Sequence, residues 1–244
     1  MAFLKPAFWQ IPLVALDTQT ALSEKTEVLK QRLKHIAENH QNARFASSLA
    51  VEDMVITDVI AREYLNICIF TLDTGLLHAE TLALLDKLDQ VYPNIHIERF
   101  QPNQADADRY VESKGKFAFY ESVELRRECC HIRKIEPLNR AIQGADAWLT
   151  GQRREQSATR TELLFAEQDK SRGIDKYNPI FDWSENDVWA YILANNVPYN
   201  DLYHQGFPSI GCDPCTRQVK EGEDIRAGRW WWESKDSKEC GLHK

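Results

Sequence analysis

Four of the six cysteines stand in two tight pairs, Cys129-Cys130 and Cys212-Asp213-Pro214-Cys215, while a fifth, Cys240, stands alone near the carboxyl end. Four thiolates grouped in this way can enclose one soft metal centre, either zinc or an iron–sulfur cluster. Structural zinc more often uses two Cys-x-x-Cys knuckles. Adjacent cysteines on a helix project about 100° apart, so both reach one centre only if that centre is bulky or the backbone is strained. A Cys-x-x-Cys by itself also reads as a redox dithiol, a reading the adjacent pair disfavours. Cys240 has the position of a nucleophile. Its thiol needs cations or a general base to form thiolate at neutral pH; Lys238 and His243 lie beside it, and Arg226 and Arg229 lie upstream. The sixth, Cys68, sits in an apolar strand and reads as a small core residue.

At 244 residues, with 43% hydrophobic and 27% charged side chains, the chain suits one sizeable domain with its own core. A net charge of −7 argues against nucleic acid or a membrane surface as partner. An anionic ligand then needs cations gathered locally, and two stretches gather them: Gly151-Gln152-Arg153-Arg154 with Arg160, and Arg226 with Arg229. No apolar run is long enough to span a membrane. The amino end, Met1-Ala2-Phe3-Leu4-Lys5-Pro6, lacks the features of a signal peptide. The expectation is a cytoplasmic address, where thiols stay reduced and the cysteines serve metal binding or catalysis. Composition leaves a homo-oligomer open.

Periodicity supplies the elements that position these residues. Leu22, Thr26, Leu29, Leu33 and Ile36 recur at helical spacing over 21–40. Strands are expected over 44–48, 67–71, 95–97 and 147–150, with helices over 54–64, 77–90, 121–143 and 183–196, the last capped by Ser184. Strands alternating with helices predict an α/β fold: a mainly parallel, twisted, Rossmann-like sheet with helices on both faces. Ligands bind such sheets beyond the carboxyl ends of the strands. Three polar turns fall there: Ser47-Ser48-Leu49-Ala50, Leu72-Asp73-Thr74-Gly75 and Thr150-Gly151-Gln152-Arg153. The first precedes a helix whose N–H groups can hold phosphate oxygens, and together the turns suggest a nucleotide-sized site. The expected organisation of the single domain 1–244 is a helical segment over 1–40, a nucleotide-binding core over 41–196, and a cluster-binding loop and mobile catalytic tail over 197–244. That tail is expected to act as a lid, with Gly228 and Gly241 letting it swing. The Trp230-Trp231-Trp232 triplet reads as packing.

Five segments together carry a family resemblance: Cys129-Cys130-His131-Ile132-Arg133-Lys134, Thr150-Gly151-Gln152-Arg153-Arg154-Glu155-Gln156-Ser157, Gly211-Cys212-Asp213-Pro214-Cys215-Thr216-Arg217, Arg226-Ala227-Gly228-Arg229-Trp230-Trp231-Trp232-Glu233 and Lys238-Glu239-Cys240-Gly241-Leu242-His243. In that order they resemble the assimilatory adenosine 5′-phosphosulfate (APS) reductases of the PAPS/APS reductase family. The wider resemblance is to the adenine-nucleotide α-hydrolase-like fold, with Ser47-Ser48-Leu49-Ala50-Val51-Glu52-Asp53 similar to its modified pyrophosphate-binding loop. The resemblance implies one [4Fe-4S] cluster on Cys129, Cys130, Cys212 and Cys215. It implies Cys240 as the nucleophile that takes the sulfonate from APS, and thioredoxin as the dithiol that then releases sulfite, in cysteine biosynthesis. It places Lys134, Arg226, Arg229 and His243 at the phosphosulfate, and Ser47, Ser48, Leu72, Gly151 and Arg160 at the nucleotide. Lys134, four residues after Cys130, shares its helical face if the helix continues. Gly151 is expected to let the base approach the backbone. The rivals are a reductase of the 3′-phosphorylated substrate (PAPS), whose family typically lacks the four cluster cysteines, and a metal-stapled sensor with Cys240 as its switch. An RNA-thiolating enzyme of the same fold would want an intact Ser-Gly-Gly-x-Asp loop and a basic surface.

Overall fold

A computed structural model describes residues 7–14, 19–156 and 162–234. Its centre is a six-stranded sheet in the order β3-β2-β1-β4-β6-β5. The strands are β1 (Ala43–Ala46), β2 (Cys68–Leu72), β3 (Ile97–Phe100), β4 (Ala147–Leu149), β5 (Ala166–Asp169) and β6 (Ile174–Tyr177). All neighbours run parallel except β5 against β6. The helices are α1 (Gln19–Asn39), α2 (Val51–Arg62), α3 (Ala79–Val91), α4 (Gln104–Lys114), α5 (Val123–Cys130), α6 (Glu136–Ala141) and α7 (Glu185–Ala194).

Strand alternation sorts the core into two layers. Phe45, Ile69, Ala147 and Leu149 face one side, where they pack with Leu29 and Leu33 of α1, Met54 and Val55 of α2, Leu84 and Leu88 of α3, and Val188 and Trp189 of α7. Phe70 and Trp148 face the other side and meet Leu138 and Ala141 of α6. Full burial of each large apolar side chain contributes about 1.5–3 kcal/mol, so both faces are secured independently. A third apolar group joins Tyr110, Phe119 and Trp230 to Cys129, Cys212 and Cys215. The cysteines are therefore packed into a core of their own.

The expected helices and most strands lie within a few residues of their observed bounds, and Ser184 closes a capping box with Asp187. Three elements differ from expectation. The polar stretch after β3 folds into α4, capped by the Asn103 side chain on Ala105 N and Asp106 N. The β5–β6 hairpin has no apolar run to announce it; Glu167 pairs with Lys176 across it at 2.8 Å. The helix expected over 121–143 is interrupted by a π-helical turn, His131–Ile135, directly after the cysteine pair. Among the described residues, no helix is long and apolar enough to cross a membrane.

Candidate functional site

The strand order reverses between β1 and β4, and a large cavity opens there, at the carboxyl ends of the parallel strands. It measures about 250 Å³. Of the sequence-selected residues, Ser47, Ser48, Leu72, Gly151, Lys134, Arg226 and Arg229 all border it. Cys240, His243, Lys238, Gly241 and Arg160 lie outside the described residues.

The loop after β1 is more tightly wired than its sequence suggests. Leu49 takes φ 61°, a left-handed conformation uncommon for a residue with a branched side chain. That turn folds the loop back on itself. Leu49 N–H donates to Ser47 Oγ at 3.2 Å, Ser48 N–H to Asp53 Oδ2 at 2.6 Å, and Val51 N–H to the Tyr203 hydroxyl at 2.9 Å. An anion entering here gains these amides by exchanging partners rather than by finding them open. Ser48 Oγ also donates to Asp53 Oδ2 at 2.6 Å. Asp53 is buried, and burial pushes its carboxyl up to about 7 despite the donors from Ser48 and the Gly151 backbone.

Gly151 owes its identity to that carboxylate. A Cβ at this position would stand 2.0 Å from Asp53 Oδ1. The vacancy expected to admit a base is filled by Asp53, so Gly151 presents its backbone to the cavity and its open side to α2. The cations expected in the same turn are also engaged. Arg153 is buried and donates to Glu52 Oε1 at 2.8 Å and to Trp183 O at 3.2 Å. Arg154 donates to Leu163 O at 2.8 Å and lies over the Phe181 ring.

The cations that do border the cavity come from elsewhere. Arg229 lies flat against Gly211, where a Cβ would meet its guanidinium at 2.4 Å, and donates to Ile210 O at 2.9 Å. Its guanidinium also stacks over Trp230 at 4.8 Å. Arg226 precedes it on the same segment. That segment is pinned to the cysteine loop: Trp230 N–H donates to Cys215 O at 3.1 Å and Arg217 N–H to Gly228 O at 3.0 Å. Gly228 is a point of close contact, since a Cβ would come 2.2 Å from Arg217 O. The described part of the expected tail is thus hydrogen-bonded to the cysteine loop, and its remainder, 235–244, lies outside the described residues.

A second, smaller cavity is bordered by all four paired cysteines with Leu76, Phe119, Arg126, Arg133 and Lys134. Lys134 and Cys212 border both cavities, so the two share a wall. The π-helical turn allows this. Its wider winding replaces the α-helical register after Cys130, and such turns concentrate at functional sites. Burial pushes the Cys129 thiol up to about 11 and the Cys215 thiol up to about 12; neighbouring thiols add to the rise, and Lys134 opposes it in both. Four buried thiols in a cavity edged by cations suit a polynuclear iron centre. Its metal charge would replace the protons, since a coordinating thiol ionises outright. The Thr74 hydroxyl stands 3.3 Å from Cys212 Sγ. Among the described residues, no three His, Cys, Asp or Glu side chains are arranged to hold a single metal ion.

Several participants were given no role of their own by the sequence. Asp53, Glu52 and Tyr203 border the cavity, and Arg126 forms a buried two-pronged pair with Glu233 at 2.8 Å on each prong. Asp53 and Glu52 had a signal, two acids in the first turn of a helix after a serine loop. Arg126 and Glu233 had none, because their pairing spans 107 positions. Cys68 departs from the expected core role: it is half-buried, its Sγ donating to Glu98 Oε1 at 3.2 Å and standing 3.5 Å from an Arg44 nitrogen.

Comparison with known proteins accords with this geometry. The sequence profile of the phosphoadenosine phosphosulfate reductase domain matches residues 42–218. The chain is 77% identical over its full 244 residues, covering 100% of both chains, to an adenosine 5′-phosphosulfate reductase of Neisseria meningitidis serogroup A. Among solved structures, phosphoadenylyl-sulfate (PAPS) reductase from Candida auris, in a phosphate complex, superposes with a TM-score of 0.67 at 25% identity. It covers 86% of this chain and 100% of its own. Yeast FAD synthetase shares the fold alone, with a TM-score of 0.56 at 14% identity over 85% of this chain and 70% of its own.

Proposed function

The chain belongs to the phosphoadenosine phosphosulfate reductase family, and on that footing we propose that it reduces APS to sulfite and AMP, with reduced thioredoxin as electron donor, in cytoplasmic sulfate assimilation. The observation that carries this reading is the shared wall. A nucleotide-sized cavity at the strand ends and a four-cysteine cavity meet at Lys134 and Cys212. The full-length identity to an APS reductase supports the substrate. So does the placement of Arg153 and Arg154, since neither borders the cavity where the extra phosphate of PAPS would need a cation.

Two displacements and a final thiol–disulfide exchange balance the reaction. The Cys240 thiolate attacks the APS sulfur, the sulfur–oxygen bond to AMP breaks, and AMP departs with that electron pair. Cys240 is left as an S-sulfonate. A thioredoxin thiolate then attacks Cys240 Sγ, a disulfide forms, and sulfite leaves with the electrons of the broken sulfur–sulfur bond. The second thioredoxin thiol resolves the mixed disulfide and restores Cys240. Lys134, Arg226, Arg229 and His243 have the role of steadying charge on the phosphosulfate oxygens, where preorganised cations lower the barrier most. Ser47, Ser48, Leu72, Gly151 and Arg160 have the role of holding the nucleotide. Cys129, Cys130, Cys212 and Cys215 would hold a [4Fe-4S] cluster, which when bound would supply iron to the four thiols and a charged centre beside Lys134.

Mass spectrometry tests the reading. Anaerobically purified protein mixed with APS, without thioredoxin, should gain one sulfonate on Cys240, and Cys240→Ser should gain none. The same sample should contain about four iron and four labile sulfide per chain. An adduct on Cys68, or none with APS, would reject the assignment.

A further inference from the structure

Ten large apolar side chains are exposed among the described residues, and three of them, Phe117, Tyr120 and Trp231, meet at one place. Their rings form a continuous series. Phe117 lies 6.3 Å from Tyr120, Tyr120 lies 6.1 Å from Trp231, and Trp232 closes on both Tyr120 at 4.4 Å and Trp231 at 4.9 Å. Phe119 backs the series, 6.1 Å from Phe117, and is itself buried beside Cys129 and Cys215. The patch is therefore rooted in the cysteine core rather than lying loose on the surface. Tyr120 Oη donates to Pro214 O at 2.5 Å, which ties the patch to the Cys212–Cys215 loop. Scattered exposed apolar residues need no explanation, but a contiguous aromatic group does. Tyr and Trp dominate the energetic centres of protein interfaces, because each buries a large area with few rotamers to freeze.

What must approach this face follows from the length of chain beyond it. Trp231 and Trp232 are followed by Glu233 and Ser234, and Cys240 is the sixth residue after Ser234. Six residues reach at most about 20 Å when extended. A macromolecule that reacts at Cys240 Sγ must therefore lie over the surface within that reach of Ser234, where the aromatic patch begins. A small-molecule reductant needs no such surface. A protein that brings a dithiol does.

We propose that Phe117, Tyr120 and Trp231 form the docking face for the reducing protein dithiol that removes the sulfonate from Cys240. The inference rests on the reading of Cys240 as sulfonate acceptor. The incoming dithiol protein packs apolar surface against the three rings while its thiolate forms the mixed disulfide and expels sulfite. The three aromatics take no part in nucleotide binding or in the first displacement, since none borders either cavity.

The test separates the two displacements. Wild type, Phe117→Ser, Trp231→Ser and the double variant are loaded with APS, and sulfite release is followed with reduced thioredoxin or with dithiothreitol. Each single variant should raise the KM for thioredoxin by about tenfold, as loss of an aromatic anchor does. Adduct formation and dithiothreitol-driven release should stay at the wild-type rate. Phe117→Ser is the variant least exposed to misfolding, since the residue is 56% exposed. Unchanged thioredoxin kinetics in the double variant would overturn the proposal. So would an equal fall with both reductants, which would assign the rings to the fold or the chemistry. A shift in oligomeric mass without a change in thioredoxin KM would overturn it in favour of a second copy of the chain. Failure of wild type to form any adduct would sink the functional reading instead, so the two failures are distinguishable.

Discussion

Lys134 stands where the two cavities meet, reached from the cysteine pair through a turn wider than an α-helix. Its charge opposes the burial that keeps Cys129 and Cys215 protonated, and it borders the space where the phosphosulfate would lie. One preorganised donor of this kind contributes about 10²–10³-fold to a rate. Lys134→Ala should therefore lower turnover by that factor while iron content stays near four per chain. Measuring both in one preparation decides the matter: loss of iron with activity would make the residue a support for the cysteines, and normal turnover would make it surface charge.

At the scale of elements, Asp53 joins two loops that follow different strands. Its carboxylate takes the Ser48 amide and hydroxyl from the loop after β1 and the Gly151 backbone from the loop after β4. Burial is the first cause of its raised pKa of about 7, against an ordinary value of 3.8. Because the folded form holds its proton more tightly than the unfolded chain, this contribution to stability is full below the unfolded pKa and is lost as pH rises through the folded one. Between pH 4 and 7 the wild type should lose stability with rising pH, by an amount of order a few kcal/mol from this group. Asp53→Asn should flatten that slope in urea unfolding at stepped pH. An unchanged slope would show that the charge on Asp53 is not what titrates. Gly151→Ala tests the same joint by shape, since overpacking typically costs about 1–3 kcal/mol.

For the molecule as a whole, the Arg126–Glu233 pair fastens the carboxyl-terminal segment to the helix that carries the cysteines. Both side chains are buried, and the Arg126 guanidinium also covers the Trp230 ring at 4.7 Å. Removing one partner of a buried pair costs about 3–5 kcal/mol because the other charge is stranded, whereas apolar replacement of both is often nearly neutral. Arg126→Met or Glu233→Met should therefore lower the unfolding midpoint sharply, and the double variant should recover most of the loss. A double variant as unstable as the summed singles would show that the two do not act as a pair. Arg126 also interacts with Cys130, so iron should be counted alongside.

Much of this was legible in sequence because it is local or periodic. The α/β order follows from apolar spacing, and the cap on α7 from Ser184 and Asp187 three positions apart. The grouping of four cysteines is a matter of residue type and separation. Helix α4 and the β5–β6 hairpin were illegible, since neither carries an apolar period; a cap and a cross-strand ion pair hold them, and both depend on neighbours. Residue type alone also misjudged the cations. Arg153 and Arg154 looked available for a ligand until the fold brought Glu52, Trp183 O and Leu163 O within hydrogen-bonding reach. Gly151 looked like an opening until Asp53 filled it. Residue order alone gave the groups on offer: four paired thiols, a lone thiol near the carboxyl end and small residues at strand ends. Which charges already neutralise one another came from the fold, because pairing depends on distances that chain separation does not encode.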